Sequence, residues 1–236
     1  MHTTHTSKEF EQELRTLRER LCTMGGKCEQ QITLAMQALA DRDDEIARKV
    51  IEGDHAIDRD ESEIDELALQ ILATRQPVAS DLRFLTMALK FVTDLERIGD
   101  NAAGIAKRAL ELNHLPPLDG APDLRSLSQL VHKNLRAALD SFVARDAERA
   151  TELIQADREV DKRNARLFAE LLAHVATDPS SVTRVLPLTS VCRYLERIGD
   201  HVKNLAEQVV YMVKAQDLRH RPLPKLPKSP KPPKSS

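Results

Sequence analysis

The chain contains 236 residues, of which 41% are apolar, 31% are charged and only 3% are aromatic. With so few aromatic residues and only seven glycines, the composition argues against a β-sandwich or barrel, which relies on aromatic and β-branched cross-strand pairs. The formal net charge is −2, but five basic residues and no acidic residue lie in 221–236. The remaining 30 basic and 37 acidic residues leave a body near −7, which disfavours broad nucleic-acid binding.

No run of 18 apolar residues occurs, so no segment is suited to span a bilayer. The first ten residues lack the apolar centre of a signal peptide. The three cysteines, Cys22, Cys28 and Cys192, fit no zinc-binding spacing and are typical of reduced thiols. These features predict a cytoplasmic protein.

Proline placement divides the chain, because proline costs about 3 kcal/mol inside a helix. The predicted helices lie at about 8–40, 43–75, 79–112, 123–144, 146–176 and 180–217. Asp43 follows an interruption in the apolar pattern and is the predicted N-cap of the second helix. The proline-containing segment 112–122 is the predicted internal linker.

The chain contains an internal repeat of about 100 residues. Moved by 103 positions, Met36–Asp58 aligns with Leu139–Asp161, and several acidic residues match. Moved by 100 positions, Glu96-Arg97-Ile98-Gly99-Asp100 aligns with Glu196-Arg197-Ile198-Gly199-Asp200, and all five residues are identical. The three-residue difference falls between the second and third helices of each copy, where length changes are tolerated.

Two copies of three helices predict an all-α fold made of two tandem, pseudo-symmetric three-helix bundles. The first bundle is predicted to occupy residues 1–115 and the second residues 123–220. The basic, proline-rich tail at 221–236 is predicted to be disordered.

Each copy of the repeat keeps two pairs of acidic residues spaced four apart, on its second and third helices. The eight residues are Asp54, Asp58, Glu96, Asp100, Asp157, Asp161, Glu196 and Asp200. The helical period places Glu96 about 40° and Asp100 about 80° from the apolar stripe centred on Val92. Unpaired carboxylates beside a packing seam are costly, so we predict that a hard metal ion binds them through oxygen. Iron, manganese, magnesium and zinc all suit such ligands.

Other interpretations of the acidic pairs stay open. Acidic pairs are also typical of solvated helix edges with intrahelical Arg or Lys partners. Glu61 and Asp65 form another pair on the same face of the second helix, but their counterparts Asn164 and Phe168 make that pair unnecessary for a shared site.

Two glycines and two polar residues flank the acidic pairs. Gly99 and Gly199 lie in mid-helix, where each costs about 1 kcal/mol, and they allow either close helix packing or space for an ion cluster. Asn101 and His201 follow the two boxes and are either further ligands or, more often for such residues, surface groups.

No nucleophile constellation or glycine-rich phosphate loop occurs in the sequence, so no catalytic residue is predicted. A metal-containing adaptor without turnover is the favoured function. The alternatives are a carboxylate-bridged metalloenzyme and a purely structural helical scaffold.

Several motifs resemble those of the PhoU family, which comprises accessory proteins of bacterial phosphate transport. They are Met24-Gly25-Gly26, Val50-Ile51-Glu52-Gly53-Asp54, Arg75-Gln76-Pro77-Val78-Ala79-Ser80-Asp81-Leu82-Arg83, the two Glu-Arg-Ile-Gly-Asp boxes, and Val213-Lys214-Ala215-Gln216-Asp217-Leu218-Arg219-His220. The resemblance covers nearly all of residues 8–220, and the doubled box and the Arg-Gln-Pro segment are its most specific parts.

The resemblance implies two three-helix bundles that hold iron or zinc clusters on the eight acidic residues named above. It also implies a cytoplasmic homodimer that reaches the membrane only through its partners and binds no nucleic acid. In that family the protein bridges the ATPase-containing phosphate ABC transporter and a sensor histidine kinase. It thereby represses the phosphate-starvation response and restrains phosphate uptake.

Overall fold

The computed structural model describes residues 3–218, and within them the chain forms six long α-helices and no strand. The helices are α1 Thr3–Asp41, α2 Asp44–Arg75, α3 Ala79–Asn113, α4 Arg125–Ala144, α5 Ala147–Thr177 and α6 Val182–Lys214, with a 3-10 turn at Pro179–Ser181. The predicted all-α fold with six helices is confirmed. The predicted disordered tail at 221–236 lies outside the described residues. No helix in the described part is long and apolar enough to cross a bilayer.

Equivalent aspartates cap the second helix of each repeat. The Asp43 carboxylate accepts hydrogen bonds from the backbone N–H groups of Glu45 and Ile46 at 2.8 and 2.9 Å. Asp146 accepts one from the N–H of Arg149 at 2.9 Å. Each cap satisfies donors at the helix start that have no intrahelical partner, and such a cap stabilises a protein by about 1 kcal/mol. Asp43 is therefore confirmed as the predicted N-cap.

The third helices of the two repeats, α3 and α6, pack extensively against each other. Small residues allow this approach. A Cβ added to Gly104 on α3 would lie 2.8 Å from Cζ of the Tyr194 ring on α6. Because carbon atoms do not approach so closely without displacement, glycine at this position lets the aromatic ring lie directly on the α3 backbone.

The first helix of the second repeat also packs against the first repeat. The fully buried ring of Phe142 on α4 lies 4.8 Å, centroid to centroid, from Phe91 and 6.4 Å from Phe84, both on α3. A Cβ added to Gly25 on α1 would lie 2.6 Å from a methyl carbon of Leu139 on α4. The two repeats therefore share one continuous apolar core.

The segment between the repeats is held in place by polar contacts with both of them. The Arg42 guanidinium donates to the carbonyl oxygens of Leu112 and Asn113 at 2.9 and 3.0 Å. The imidazole Nε2 of His174 on α5 lies 3.0 Å from the carbonyl oxygen of Gly120. These contacts fix how α3 leads into α4, and so how the two copies of the acidic motif are oriented.

Candidate metal centre

The four predicted acidic residues of the first repeat lie on the facing sides of α2 and α3. A Cβ added to Gly99 would lie 2.9 Å from Cδ1 of Ile57 and 3.3 Å from Oδ1 of Asp54. A Cβ added to Gly199 would lie 3.0 Å from Cγ1 of Val160, the counterpart of Ile57 in the second repeat. Of the two predicted uses of these glycines, the structure therefore supports close helix packing, which brings the Asp54 carboxylate onto the α3 backbone.

Burial separates the eight acidic residues into an inner and an outer group. The inner residues are Asp54, Glu96 and Glu196, which are half-buried, and Asp157, which is buried. The outer residues are Asp58, which is half-buried, and Asp100, Asp161 and Asp200, which are exposed. This order agrees with the helical angles, which place Glu96 nearer to the packing seam than Asp100. Each repeat therefore presents a rim of carboxylates with its inner members in a partly desolvated position.

The inner carboxylates of the first repeat are compensated only in part, by Arg97 beside Glu96. Burial, followed by the charges of Asp100 and Asp58, raises the pKa of Asp54. Burial, followed by the charge of Asp100, raises the pKa of Glu96 to about 7. Asp54 Oδ1 and Glu96 Oε2 are buried without a hydrogen-bond partner, although Arg97 Nε lies 3.2 Å from that Glu96 oxygen. Buried, unpaired carboxylate oxygens are costly, which makes this rim a favourable place for a cation.

The structure adds Glu61 to this rim. Burial and the charge of Asp65 raise the pKa of Glu61, and Asp58 and Asp100 also contribute in the same direction. Glu61 has no acidic counterpart in the second repeat, where Asn164 takes its place, so the repeat alone does not mark it as a ligand. The signal that identifies it is its position three residues after Asp58, on the same face of α2.

The second repeat carries its own cation beside the inner aspartate. Burial raises the pKa of Asp157, and Lys203, whose Nζ lies 3.0 Å from Asp157 Oδ2, offsets part of that rise. The counterpart of Lys203 in the first repeat is Ala103. Burial, followed by the charges of Asp157 and Asp161, raises the pKa of Asp200. Each rim is therefore partly neutralised by a basic side chain, the second by Lys203 and the first by Arg97.

The carboxylates form open rims and not closed cages. Nowhere in residues 3–218 do three or more His, Cys, Asp or Glu side chains already stand close enough together to enclose a metal ion. The donor set nevertheless fits a hard cation, because it consists of carboxylate oxygens, two of which are buried without a partner in the first repeat. A bound cation would compete with Arg97 for carboxylate oxygens of the first rim and with Lys203 for Asp157 of the second.

The two flanking polar residues have other contacts. His201 Nδ1 lies 2.8 Å from Asp94 Oδ1, and the same carboxylate accepts hydrogen bonds from the side-chain amides of Asn204 and Gln208. Asn101 Nδ2 donates to the carbonyl oxygen of Arg97 at 2.6 Å. His201 therefore takes part in a polar network between α3 and α6, a role that periodicity within one helix could not predict.

Comparison with known proteins identifies the repeat. The family profile of the PhoU domain matches twice, at residues 21–109 and 124–209. The chain belongs to the PhoU family. Both matches contain one pair of acidic motifs and one Glu-Arg-Ile-Gly-Asp box. The predicted family and the predicted repeat are thereby confirmed.

PhoU relatives match over nearly their whole length. The phosphate-specific transport system accessory protein PhoU homolog of Pseudomonas aeruginosa is 41% identical over 225 residues, which cover 95% of this chain and 93% of that protein. The phosphate-specific transport system accessory protein PhoU of Escherichia coli K12 is 37% identical over 219 residues, which cover 92% and 90% of the two chains.

Solved PhoU structures have the same fold. The crystal structure of PhoU from Pseudomonas aeruginosa gives a TM-score of 0.83 at 40% identity and covers 88% of this chain and 100% of that chain. The structure of the phosphate transport system regulatory protein PhoU from Streptococcus pneumoniae gives 0.82 at 29% identity, with 88% and 98% covered.

The raised pKa of Glu96 predicts how the stability of metal-free protein depends on pH. The folded chain holds the Glu96 proton up to about pH 7, whereas the unfolded chain releases it near its ordinary pKa of 4.5. The free energy of unfolding that this group contributes is therefore present below about pH 4.5 and is lost as the pH rises through 7. The neighbouring charges are Asp100, Glu61 and Arg97.

We expect Glu96→Gln to stabilise the metal-free protein at pH 8 by about 1 kcal/mol, well below the full shift because water reaches the rim. At pH 4.5 the two proteins should unfold alike. Urea unfolding in chelator, followed by circular dichroism at both pH values, measures the difference. An equal gain at both pH values would show that ionisation of Glu96 is not its cause.

Proposed function

We propose that this PhoU-family protein is the accessory protein of a phosphate-specific transport system and acts as a metal-binding adaptor without catalytic turnover. It joins the ATPase subunit of the phosphate ABC transporter to a phosphate sensor histidine kinase. Through this contact it restrains phosphate uptake and represses the phosphate-starvation response. It works in the cytoplasm as a homodimer and reaches the membrane through these two partners.

One observation carries the metal-binding part of the proposal. Both repeats place acidic pairs on facing sides of two helices, and in the first repeat a buried oxygen of Asp54 has no hydrogen-bond partner and Glu96 is ion-paired with Arg97 alone. Because such charges oppose folding when left alone, their repetition favours a function that needs them. The accessory and regulatory part is supported by the names and the full-length similarity of the relatives.

The residues that would hold the ions are the eight predicted ones. The first ion site would consist of Asp54, Asp58, Glu96 and Asp100, with Glu61 beside them. The second ion site would consist of Asp157, Asp161, Glu196 and Asp200. A bound iron, zinc, manganese or magnesium ion would supply positive charge that neutralises the rim. The chain's own residues hold α2 against α3 and α5 against α6, and so keep the surface around each rim in one arrangement.

Two of the three thiols support an adaptor over an enzyme with a cysteine nucleophile. Cys28 and Cys192 are completely buried, and burial raises the pKa of both, that of Cys192 to about 12. A thiol in this environment stays protonated and inaccessible, so it is a poor nucleophile.

A co-purification experiment tests the adaptor function. Full-length tagged protein is retrieved from detergent-solubilised membranes of cells grown in high and in low phosphate, and the bound proteins are identified by mass spectrometry. The ATPase subunit and the sensor kinase should be retained, and the amount of each should change with phosphate. A tagged, unrelated helical protein of similar charge serves as the control. Retention of neither protein under either condition would contradict the proposal.

A further inference from the structure

A cleft of about 440 Å³ lies between α3 and α6 and is lined by Asp100 of the first acidic rim and Asp200 of the second. Both Glu-Arg-Ile-Gly-Asp boxes line it, because Arg97 and Asp100 enter it from α3, and Arg197 and Asp200 enter it from α6. The cleft is therefore the one place in the described chain where the two copies of the box meet.

We call this space between α3 and α6 the seam cleft, and its lining is rich in hydrogen-bond donors. Three permanent cations, Arg97, Lys107 and Arg197, face two carboxylates, and the ring of Tyr194 borders the same space. Within residues 3–218, the cations of this cleft differ in pairing, because Arg97 is paired with Asp100 whereas Lys107 and Arg197 form no ion pair within 4 Å. Guanidinium and ammonium groups are the side-chain donors that proteins use to bind phosphate-like oxyanions.

The ion pairs that Arg97 forms with two carboxylates connect the seam cleft to the first acidic rim. Its Nη1 lies 3.1 Å from Asp100 Oδ2 and its Nε lies 3.2 Å from Glu96 Oε2. Both carboxylates belong to the proposed metal site. A cation on that rim would compete for the same oxygens, which would free the Arg97 guanidinium and reduce the negative field at the cleft.

We propose that the seam cleft binds inorganic phosphate, or a similar small oxyanion, through Arg97, Lys107 and Arg197 when cations occupy the acidic rims. The inference rests on the proposed metal-binding function. It makes the cleft a site where phosphate and metal bind cooperatively between the two repeats, so that each raises the affinity for the other.

Equilibrium dialysis with radiolabelled orthophosphate tests this directly. Full-length protein is loaded with zinc or manganese and desalted, and its metal content is measured by elemental analysis in the samples used for dialysis. Metal-loaded wild type should retain phosphate, and metal-free protein should bind it at least about tenfold more weakly, as expected for a coupling of typical size. Chloride at equal ionic strength controls for screening.

Single substitutions locate the site. Arg197→Gln should weaken phosphate binding about tenfold to a hundredfold, because a charge-assisted hydrogen bond is lost, and Arg197→Lys should restore part of it. The matched control is Arg193→Gln, one turn earlier on α6, which lines a different cleft and should change binding less than about twofold. Thermal unfolding of all four proteins shows that each is folded.

The outcomes separate this inference from the proposed function. Full metal content without phosphate retention, or equal binding by Arg197→Gln and wild type, would overturn the seam site and leave metal binding intact. Equal phosphate binding with and without metal would overturn the coupling. Failure to retain metal at all would contradict the proposed function, and this inference with it.

Discussion

Replacing Phe142 with alanine is expected to lower the free energy of unfolding by about 3–5 kcal/mol, as for other buried phenylalanines. The ring is fully buried and packs against Phe91 and Phe84 from the other repeat. Its loss removes apolar contacts from both repeats and leaves a cavity that neither helix can close easily, because Leu139 already abuts α1 at Gly25. Urea unfolding followed by circular dichroism measures the change.

Phe168→Ala is the matched control, because this ring on α5 is 42% exposed. It should change the free energy of unfolding by less than about 1 kcal/mol. Since Phe142 joins the cores of both repeats, the wild-type chain should unfold in a single transition. A loss below about 1 kcal/mol for Phe142→Ala, or separate transitions for the two repeats in wild type, would contradict a shared core.

The second large effect is expected from removing the charges of the first acidic rim. The variant Asp54→Asn/Asp58→Asn/Glu96→Gln/Asp100→Asn keeps the side-chain shapes but removes the anionic ligands. Wild type at a metal concentration a hundred times its Kd should gain about 2.7 kcal/mol in the free energy of unfolding, and the variant should gain almost nothing from the first site. Without metal the variant should be the more stable protein, because the repulsion at the rim is gone.

Elemental analysis and thermal unfolding, each with and without chelator, measure these two changes. The control variant is Glu52→Gln/Glu66→Gln, which removes two exposed charges from α2 away from the rim and should keep wild-type metal content. If the four-residue variant retains as much metal per chain as wild type, the metal site does not lie on this rim. If the metal-free variant is less stable than wild type, the carboxylates act as structural partners.

Local features of the fold follow from residues that are close in sequence. Asp43 and Asp146 cap α2 and α5 because a side-chain oxygen near a helix start satisfies backbone donors two or three residues ahead. The 3.6-residue period alone places Glu96 closer to the seam than Asp100, and the exposures agree. The repeat then shows which acidic residues both halves share, and so all eight candidates could be predicted before the fold was known.

The sequence by itself therefore determined the helices, the repeat, the family and the acidic pairs, since each depends on local spacing or on motifs. The surroundings of those pairs depend on how the helices pack. Lys203 neutralises Asp157 on the second rim, Glu61 joins the first, and Arg97 and Arg197 meet across one cleft. These contacts join different helices, and the rotation of α3 against α6 is set by packing such as Tyr194 on Gly104, which no period within a single helix encodes.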